Sequence, residues 1–241
     1  MSGPTGPGDE TARRVLCDGE VTVHGRIAGS SNVTLFVTCE LEGVELAAVY
    51  KPARGERPLW DFPNGLYRRE VAAYLLSEAM GWGLVPLTVE RADAPMGVGS
   101  LQRFVDEDGE SHYFTLRDEG RFTETLHRIA VFDVVANNAD RKSGHVLRAG
   151  ERLWAIDNGL SFHRQPKLRT VIWDFAGDPL TEDEAEVLRH LVTGRLPEEL
   201  DELLEPVELA AMCQRASRLL DEGRLPAPGD DDWRPYPWPL V

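Results

Sequence analysis

The chain has 241 residues, of which 42% are apolar and 28% charged, the proportions of a globular protein that can bury a core. Its formal net charge of −15 repels nucleic acid and anionic lipid at long range, so we expect no nucleic-acid partner and no stable membrane association. The three cysteines lie far apart without a CxxC pair, which argues against a disulfide framework or a zinc site and favours a reducing compartment. The start of the chain lacks the apolar segment of a signal peptide, and no stretch approaches the roughly 20 apolar residues of a membrane span, so a cytoplasmic protein is expected.

The first half of the chain has the alternating pattern of β-strands. Residues 1–12 are rich in Gly, Pro and Thr and are predicted to be disordered. An antiparallel meander is predicted next, with strands at 21–27, 33–41 and 44–51. Glu42-Gly43 predicts a tight turn between the last two of these strands.

One helix and two more strands complete the predicted first lobe. Apolar residues recur at the helical period from Leu66 to Met80, and the glycine that follows is a typical helix stop. Two further strands are predicted at 85–92 and 97–105. The acidic run that follows predicts an exposed linker, so the first lobe is assigned to residues 13–105.

The second half of the chain is mainly helical in pattern. Thr123 is expected to cap a helix that runs to Val135, and a hairpin is predicted over residues 145–157. Thr181 begins a capping box with Glu184, and a last helix is predicted at 206–222.

The order of these elements predicts the architecture. The second lobe is assigned to residues 106–225, and the Pro- and Trp-rich residues 226–241 are predicted to form an irregular tail. A five-stranded antiparallel sheet with one helix, followed by a mainly helical lobe, is an α+β, two-lobed architecture.

The strongest chemical signal lies in residues 132–163, where a helix ends in a polar turn and a hairpin follows. Asp140 and His145 lie in the turn, and Asp157 lies at the end of the hairpin. Phosphoryl transfer needs one carboxylate to orient or deprotonate the nucleophile and another to hold Mg²⁺ on the phosphates. A loop before a hairpin and the end of that hairpin can present two carboxylates to one cleft, and Gly159 is expected to allow the turn that aims Asp157.

Five segments resemble the phosphatidylinositol 3- and 4-kinase family, in the order in which that family has them. Residues 140–145 resemble its catalytic loop, and residues 155–162 closely resemble the metal-binding segment of the type II phosphatidylinositol 4-kinases. The other three are the ATP-binding lysine strand at 48–52, the helix with its glutamate partner at 69–74 and the adenine-binding hinge at 102–105. The resemblance implies a small bacterial member with a two-lobed protein-kinase-like fold that binds ATP with Mg²⁺ or Mn²⁺.

The resemblance also implies a role for each matched residue. Lys51 is expected to hold the α- and β-phosphates, and Glu70 to orient Lys51. Asp140, with Lys142 in the same loop, is expected to act on the acceptor hydroxyl, and Asp157 to bind the metal. The remaining expected nucleotide contacts are Gln102, Phe104 and Val105 in the hinge and Ser30 and Ser31 in the first turn, which lacks a full glycine-rich motif.

One position departs from the family pattern. The family has Asn as its second metal ligand where this chain has His145, and imidazole is a poor ligand for Mg²⁺. His145 is assigned to the metal, with Mn²⁺ as the alternative ion, and Asn138 or water is the other candidate to complete the metal shell. The departure bears on the rate of catalysis more than on nucleotide binding.

Arg164, Lys167 and Arg169 follow Asp157 in an otherwise acidic chain. In phosphoinositide kinases the corresponding segment reads an anionic head group, so these cations are expected to bind an inositol phosphate, a sugar phosphate or a phosphorylated partner. The competing interpretation is that they pair with the acidic surface.

The expected function is ATP-dependent transfer of the γ-phosphate to an alcohol acceptor. An inositol-type or other polyol phosphate is favoured over a bilayer lipid because of the negative charge, and a protein hydroxyl is the alternative acceptor. Two rival functions stay open. One is a nucleotide-binding pseudokinase that acts as a docking module, which His145 favours, and the other is a protein nucleotidyltransferase.

Overall fold

The structure, a computed structural model, describes residues 9–109, 111–194, 196–229 and 235–240. The chain divides into two compact units. The first comprises the chain up to Val71 together with Pro86–Val105, and the second comprises Ala72–Val85 together with the chain from Asp106 onward. Residues 72–85, which the sequence analysis places in the first lobe, therefore cluster with the second unit.

The first unit is built on a five-stranded antiparallel sheet of order β1-β2-β3-β5-β4. Its strands are β1 (Glu20–Arg26), β2 (Leu35–Leu41), β3 (Val44–Pro52), β4 (Thr88–Arg91) and β5 (Gly99–Arg103). Glu42 and Gly43 both have positive φ, 52° and 79°, which confirms the predicted tight turn between β2 and β3. Burial alternates along β3, so that Lys51 lies on the face opposite Tyr50.

The predicted disordered N-terminus is wrong for residues 9–12, and residues 1–8 lie outside the described part of the chain. Residues 9–12 begin helix α1 (Asp9–Asp18), which packs on β2, β3, β4 and β5. Its buried residues Ala12, Val15 and Leu16 recur at the helical period. This short signal is easily missed beside a Gly- and Pro-rich stretch.

Helix α2 (Leu66–Ala79) begins in the first unit and ends in the second. The carboxylate of Glu56 fixes its start, because Oε2 accepts from the N–H of Gly65 at 2.9 Å and Oε1 accepts from the N–H of Tyr67 at 2.8 Å. Gly81, with φ of 67°, follows the end of the helix as predicted.

The second unit is mainly helical, as the sequence predicts. Its other elements are helices α3 (Tyr113–Glu119), α4 (Thr123–Ala136), α5 (Glu182–Thr193), α6 (Glu199–Leu203) and α7 (Pro206–Glu222), with the hairpin of β6 (Val146–Ala149) and β7 (Arg152–Ala155) after α4. Helices α3 and α6 were not predicted, because seven and five residues are too few to show a period.

Two predicted helix caps have different outcomes. The N–H of Glu184 donates to Thr181 Oγ1 at 3.2 Å and the N–H of Thr181 donates to Glu184 Oε2 at 2.9 Å, which confirms the capping box of α5. Thr123 is not the cap of α4. It is the first helical residue, Phe122 stands at the N-cap position, and the Thr123 hydroxyl donates to the carbonyl of Gly120 at 2.7 Å.

The described part of the predicted tail, residues 226–229 and 235–240, contains no helix or strand. The tail is held by its carbonyl groups. The carbonyl of Pro235 accepts from the N–H of Thr170 at 3.1 Å and from the Trp173 indole at 3.0 Å, and the carbonyl of Leu240 accepts from the N–H of Ser143 at 2.9 Å. Among the described helices, none is long and apolar enough to cross a bilayer.

Candidate active site

Lys51 and Glu70 form an ion pair in the first unit. Lys51 lies near the end of β3 and keeps 21% of its side chain exposed, whereas the carboxylate of Glu70 on α2 is 3% exposed. The Glu56 cap fixes the start of α2, one turn before Glu70, and so helps to place the carboxylate beside the lysine. The pairing expected from the family resemblance is therefore present.

The hinge residues of the first unit have mixed placements. Gln102 is buried, and its amide donates to Thr88 Oγ1 at 2.8 Å, so this side chain ties β5 to β4. The N–H of Phe104 donates to the carbonyl of Ala47 at 2.9 Å, whereas its ring is 38% exposed. Val105 is half-buried.

An apolar surface that the sequence analysis did not name lies beside the lysine. Phe36 on β2 pairs in register with Val49 on β3, two residues before Lys51, so all three side chains share one face of the sheet. The rings of Phe36 and Phe104 meet edge to face, with centroids 5.1 Å apart. Phe36 and Val49 are only partly buried, so this surface offers a flat apolar contact to a planar ligand. The sequence contains a signal for this surface, because residues 49 and 51 are two apart and therefore lie on the same face of a strand.

Ser30 and Ser31 lie in the turn between β1 and β2, with Ser30 half-buried and Ser31 exposed. The base of the turn is fixed by a hydrogen bond from the N–H of Ile27 to the carbonyl of Thr34 at 2.8 Å. The turn itself is free of regular structure, which leaves both hydroxyl groups at an exposed loop, as donors to phosphate oxygens require.

Asp140 lies in the loop after α4 in the second unit. Its N–H donates to Asn138 Oδ1 at 2.9 Å, and its Oδ2 lies 3.1 Å from Lys142 Nζ. Burial raises the pKa of Asp140, the ammonium of Lys142 opposes that rise, and the negative charge of Asp157 adds to it. Each carboxylate therefore lies within the electrostatic field of the other. Asn138, the other candidate to complete the metal shell, is fully buried, and its Oδ1 accepts the bond from the N–H of Asp140 within the loop.

Asp157 and His145 are in contact. The N–H of Lys142 donates to His145 Nδ1 at 3.4 Å, so in the neutral imidazole the proton is on Nε2, which lies 3.3 Å from Asp157 Oδ2. In this tautomer Nε2 donates to the carboxylate and has no lone pair for a metal. This geometry places His145 where it can orient Asp157, and its expected role as a metal ligand stays a prediction.

The turn that aims Asp157 differs from the expectation. Asp157 itself has φ of 57°, whereas Gly159 is not among the glycines with positive φ. The left-handed conformation is therefore carried by the carboxylate residue, and Asp is one of the few side chains that tolerate it.

Arg141, which is 0% exposed, connects these loops. Its guanidinium binds both carboxylate oxygens of Asp133 on α4, at 2.9 to 3.2 Å. It also donates to the carbonyl of Ile156 and to Asn158 Oδ1, both at 2.7 Å, on either side of Asp157. One buried cation thus holds the last helical turns before Asp140 and the backbone around Asp157. Neither Arg141 nor Asp133 was predicted from the sequence as a functional residue.

The carboxylates suit a metal ion that arrives with a nucleotide. In the described part of the chain, no group of three or more His, Cys, Asp or Glu side chains is placed to hold a metal ion alone. Mg²⁺ is usually bound by one or two carboxylates together with substrate phosphates, and Asp157, with 51% of its side chain exposed, can serve as such a ligand. Asp140 is the second available carboxylate.

The three cations that were predicted to bind the substrate do not lie at one site. Lys167 and Arg169 line a cavity in the second unit, together with Arg215 and Arg218 of α7. Arg164 is exposed and does not line that cavity.

Solved structures define the class of this fold. A structure of hydra Fam20 with sugar aligns with a TM-score of 0.56 at 12% identity, over 87% of this chain and 86% of that one. The Golgi casein kinase with Mn/ADP bound aligns with a TM-score of 0.57 at 15% identity, over 97% of this chain and 80% of that one. At these identities the likeness shows the fold alone, and it confirms the predicted α+β, protein-kinase-like class.

Sequence comparison then gives the family. The family model described as phosphatidylinositol 3- and 4-kinase matches residues 62–220, a range that includes Glu70, Asp140 and Asp157. Protein Rv2133c of Mycobacterium tuberculosis (strain ATCC 25618 / H37Rv) is 39% identical over 263 residues, which cover 93% of this chain and 94% of that protein. The chain belongs to the phosphatidylinositol 3- and 4-kinase family, as its motifs predict, and fold and family together support a phosphotransferase in general.

Proposed function

We propose that this protein is an ATP-dependent kinase that transfers the γ-phosphate to an alcohol group. The observation that carries the proposal is the carboxylate pair of the second unit. Asp140, whose pKa is raised by burial, lies within the field of Asp157 and is held beside Lys142, in a chain that belongs to a kinase family. A carboxylate with a raised pKa is a better proton acceptor at neutral pH than an ordinary one.

The residues of the first unit supply contacts that a nucleotide needs. Lys51, oriented by Glu70, binds phosphate oxygens, and the apolar surface of Phe36, Val49 and Phe104 receives the planar base. Exposed donors in the turn that carries Ser30 and Ser31 add contacts to phosphate oxygens.

The residues of the second unit act on the metal and the acceptor. Asp157, oriented by His145, is the metal ligand, and Mg²⁺ or Mn²⁺ when bound neutralises charge on the phosphates. Asp140 accepts the proton of the acceptor hydroxyl, and the nearby ammonium of Lys142 keeps the carboxylate ionised over a wider range of pH. Use of a divalent metal and nucleotide is supported by the Golgi casein kinase structure, which has Mn/ADP bound.

The acceptor is proposed to be a polyol phosphate of the inositol type, with a protein hydroxyl as the alternative. The net charge of −15 disfavours an anionic bilayer as the place of reaction. Exposed Arg164, close after Asp157 in the chain, is the remaining candidate for a contact to an anionic acceptor.

Calorimetric titration of ATP into the full chain, with Mg²⁺ and then with Mn²⁺, tests the nucleotide site. Wild type and the surface control Arg189→Gln, whose side chain is exposed on α5, are expected to bind ATP in a metal-dependent manner. Asp157→Asn should lose the metal dependence, and Lys51→Ala should weaken binding in either metal. Equal binding by all four proteins, or none by wild type, would refute the proposal.

A second candidate function is a nucleotide-binding module without transfer, which the His145–Asp157 contact favours because His145 competes with a metal for the same carboxylate. The substitution His145→Asn separates the two. If wild type binds ATP but releases no ADP with either acceptor class, while His145→Asn releases ADP, the module is correct. ADP release with a phosphorylated acceptor by wild type supports the kinase. Transfer of AMP would instead release pyrophosphate and leave AMP on the acceptor, so the masses of the products distinguish the two reactions.

A further inference from the structure

A cavity of about 520 Å³ lies in the second unit, between α7, the end of α4 and the segment at 166–169. Among the described residues that line it, four are cations, Lys167 and Arg169 from the segment and Arg215 and Arg218 from α7, and one is a carboxylate, Glu222. Its other walls are mainly apolar, including Val134, Leu168, Trp173 and Leu219. Volumes of 300 to 1,000 Å³ are typical of sites for small molecules. The described lining of this cavity is therefore net positive, in a chain with a net charge of −15.

Arg215 is held in place by two backbone carbonyl groups. Its Nε donates to the carbonyl of Val135 at 2.9 Å and its Nη1 to the carbonyl of His163 at 3.3 Å. Its Nη2 is buried and has no hydrogen-bond partner within the described part of the chain. Burial lowers the pKa of Arg215 to about 10, so the guanidinium stays charged at neutral pH. A buried, charged donor without an acceptor is costly, and an anion in the cavity would satisfy it.

We propose that this cavity binds the phosphate group of a small phosphorylated molecule that also has an apolar or planar part. The Nη2 of Arg215 can donate to a phosphate oxygen, because its Nε and Nη1 already have acceptors. Arg218, whose Nε donates to Glu222 Oε1 at 2.7 Å, lies one helical turn further along α7 and so faces the same region. Lys167 and Arg169 approach from a different element, which allows the phosphate to be held from two sides. Trp173 and Leu168 offer the apolar contact that separates such a ligand from free phosphate.

The cavity is distinct from the proposed transfer site. None of the described residues that line it is Asp140, Lys142, His145 or Asp157. The cations expected from the sequence to read the acceptor are thus divided, with Lys167 and Arg169 in the cavity and Arg164 outside it.

The cavity is nevertheless connected to the catalytic loop. Asn137, at the end of α4, lines it and holds the segment after Asp157, since its amide donates to the carbonyls of His163 at 2.8 Å and Gln165 at 2.7 Å and its Oδ1 accepts from the N–H of Lys167 at 2.8 Å. The segment then pairs with the catalytic loop, through Arg169 to Asn138 and Arg141 to Arg169 backbone bonds of 2.9 and 3.0 Å. A ligand in the cavity therefore contacts the segment that the catalytic loop also holds.

Phenyl phosphate is a suitable probe, because it combines a phosphate with a planar apolar group. We expect calorimetric titration into the full chain to show binding to wild type and no binding of phenol. Arg215→Gln, Arg218→Gln and Arg169→Gln should each weaken phenyl phosphate binding about tenfold, the effect of losing one charged hydrogen bond. Arg189→Gln, outside the cavity, should leave it unchanged. Lys51→Ala and Asp157→Asn should also leave it unchanged, so this test is independent of the proposed kinase activity.

Residues 230–232 are three aspartates that directly follow Gly229 in the sequence, and Gly229 lines the cavity. A variant with Asn at all three positions is therefore titrated beside wild type. Failure of both proteins to bind phenyl phosphate overturns the proposal. Binding that Lys51→Ala or Asp157→Asn abolishes, or that the three cavity substitutions leave intact, overturns it as well. Because Arg218 is largely exposed, its substitution remains informative if Arg215→Gln fails to fold.

Discussion

The two units hold their central cations in different environments. In the first unit Lys51 keeps 21% of its side chain exposed beside Glu70, whereas in the second unit Arg141 is 0% exposed and binds Asp133, Asn158 and the carbonyl of Ile156. A partly exposed lysine can move to meet a ligand, whereas a buried guanidinium with this many partners keeps one arrangement. Substitution of Lys51 is therefore expected to impair ligand binding, and substitution of Arg141 to impair the fold.

The largest expected effect is that of Arg141→Met. Removing this cation leaves the Asp133 carboxylate buried without its partner, which costs about 3–5 kcal/mol in the free energy of unfolding. Urea denaturation measures it. The double variant Asp133→Leu/Arg141→Met should be more stable than Arg141→Met alone, because no buried charge remains. A double variant that is less stable than the single one would contradict the proposed role of Arg141 as the partner of the buried Asp133 carboxylate.

Asp157 should separate ligand binding from stability. Asp157→Asn removes the charge that holds a metal but keeps a side chain that tolerates φ of 57°, so metal-dependent ATP binding should be lost while the unfolding midpoint hardly changes. Asp157→Ala should lose the same binding and about 1 kcal/mol of stability, from backbone strain. Equal stability of the two variants would show that the left-handed conformation is not strained.

Substitutions in the Lys51–Glu70 pair should weaken ATP binding to different degrees. Lys51→Ala removes the cation that contacts the phosphates and should weaken ATP binding by about tenfold or more. Glu70→Gln keeps an oxygen that accepts from Lys51 but loses the charge, so its effect should be several-fold smaller, roughly the difference between a charged and a neutral hydrogen bond. A larger effect from Glu70→Gln would assign the carboxylate a role beyond orienting the lysine.

A pH profile tests the carboxylate pair of the second unit. Asp140 must be ionised to accept a proton, so activity should rise as the pH climbs through its pKa, which burial raises above the ordinary range. Lys142 lowers that pKa, and Lys142→Met should therefore move the acidic limb of the rate profile to higher pH. A shift to lower pH would contradict the pairing.

The raised pKa of Asp140 should also affect the stability of the folded protein. Because the folded-state pKa of Asp140 is raised, the native state binds the proton more tightly than the unfolded state does. The contribution of this group to stability therefore falls as the pH rises through the unfolded-state pKa and then the folded-state pKa. Asp140→Asn should thus be inactive and slightly more stable than wild type at pH 7, which denaturation at pH 7 and at pH 4 can compare.

The smallest effect is expected far from the loops. Thr181→Ala removes the hydroxyl that accepts from the N–H of Glu184 at the start of α5, a loss of about 1 kcal/mol. ATP binding should be unchanged, so this variant calibrates how much a modest loss of stability alters the other measurements.

The sequence predicted the elements with long, regular periods. Strands β1 to β3 were predicted from alternation and the turn at Glu42-Gly43. Helix α7 was predicted with its observed bounds, and in the structure Pro206 begins it and Gly223 follows its end. Helices α3 and α6 are too short for periodicity to register, and β4 begins after Pro86, which has no N–H for a strand ladder.

Site residues were predicted by motif, but their partners were not. Sequence does not distinguish a buried arginine from a surface one, so Arg141 went unassigned, although an aspartate among the buried residues of α4 was a usable signal for a paired cation. The hydrogen bond of Gln102 to Thr88 depends on the register of β4 and β5, and the tautomer of His145 depends on the backbone of Lys142. Such facts are properties of the folded chain and have no local pattern.

The carbonyl of Leu240 is, in effect, a structural part of the catalytic loop, because it accepts from the N–H of Ser143. Changes to residues 235–240 therefore bear on enzymology. A tag inserted in this segment would alter a residue that supports the loop of Asp140, so the segment is best left intact in activity work. A variant that lacks residues 235–240 offers the converse use, since its loss of activity would report how strongly this segment holds the loop.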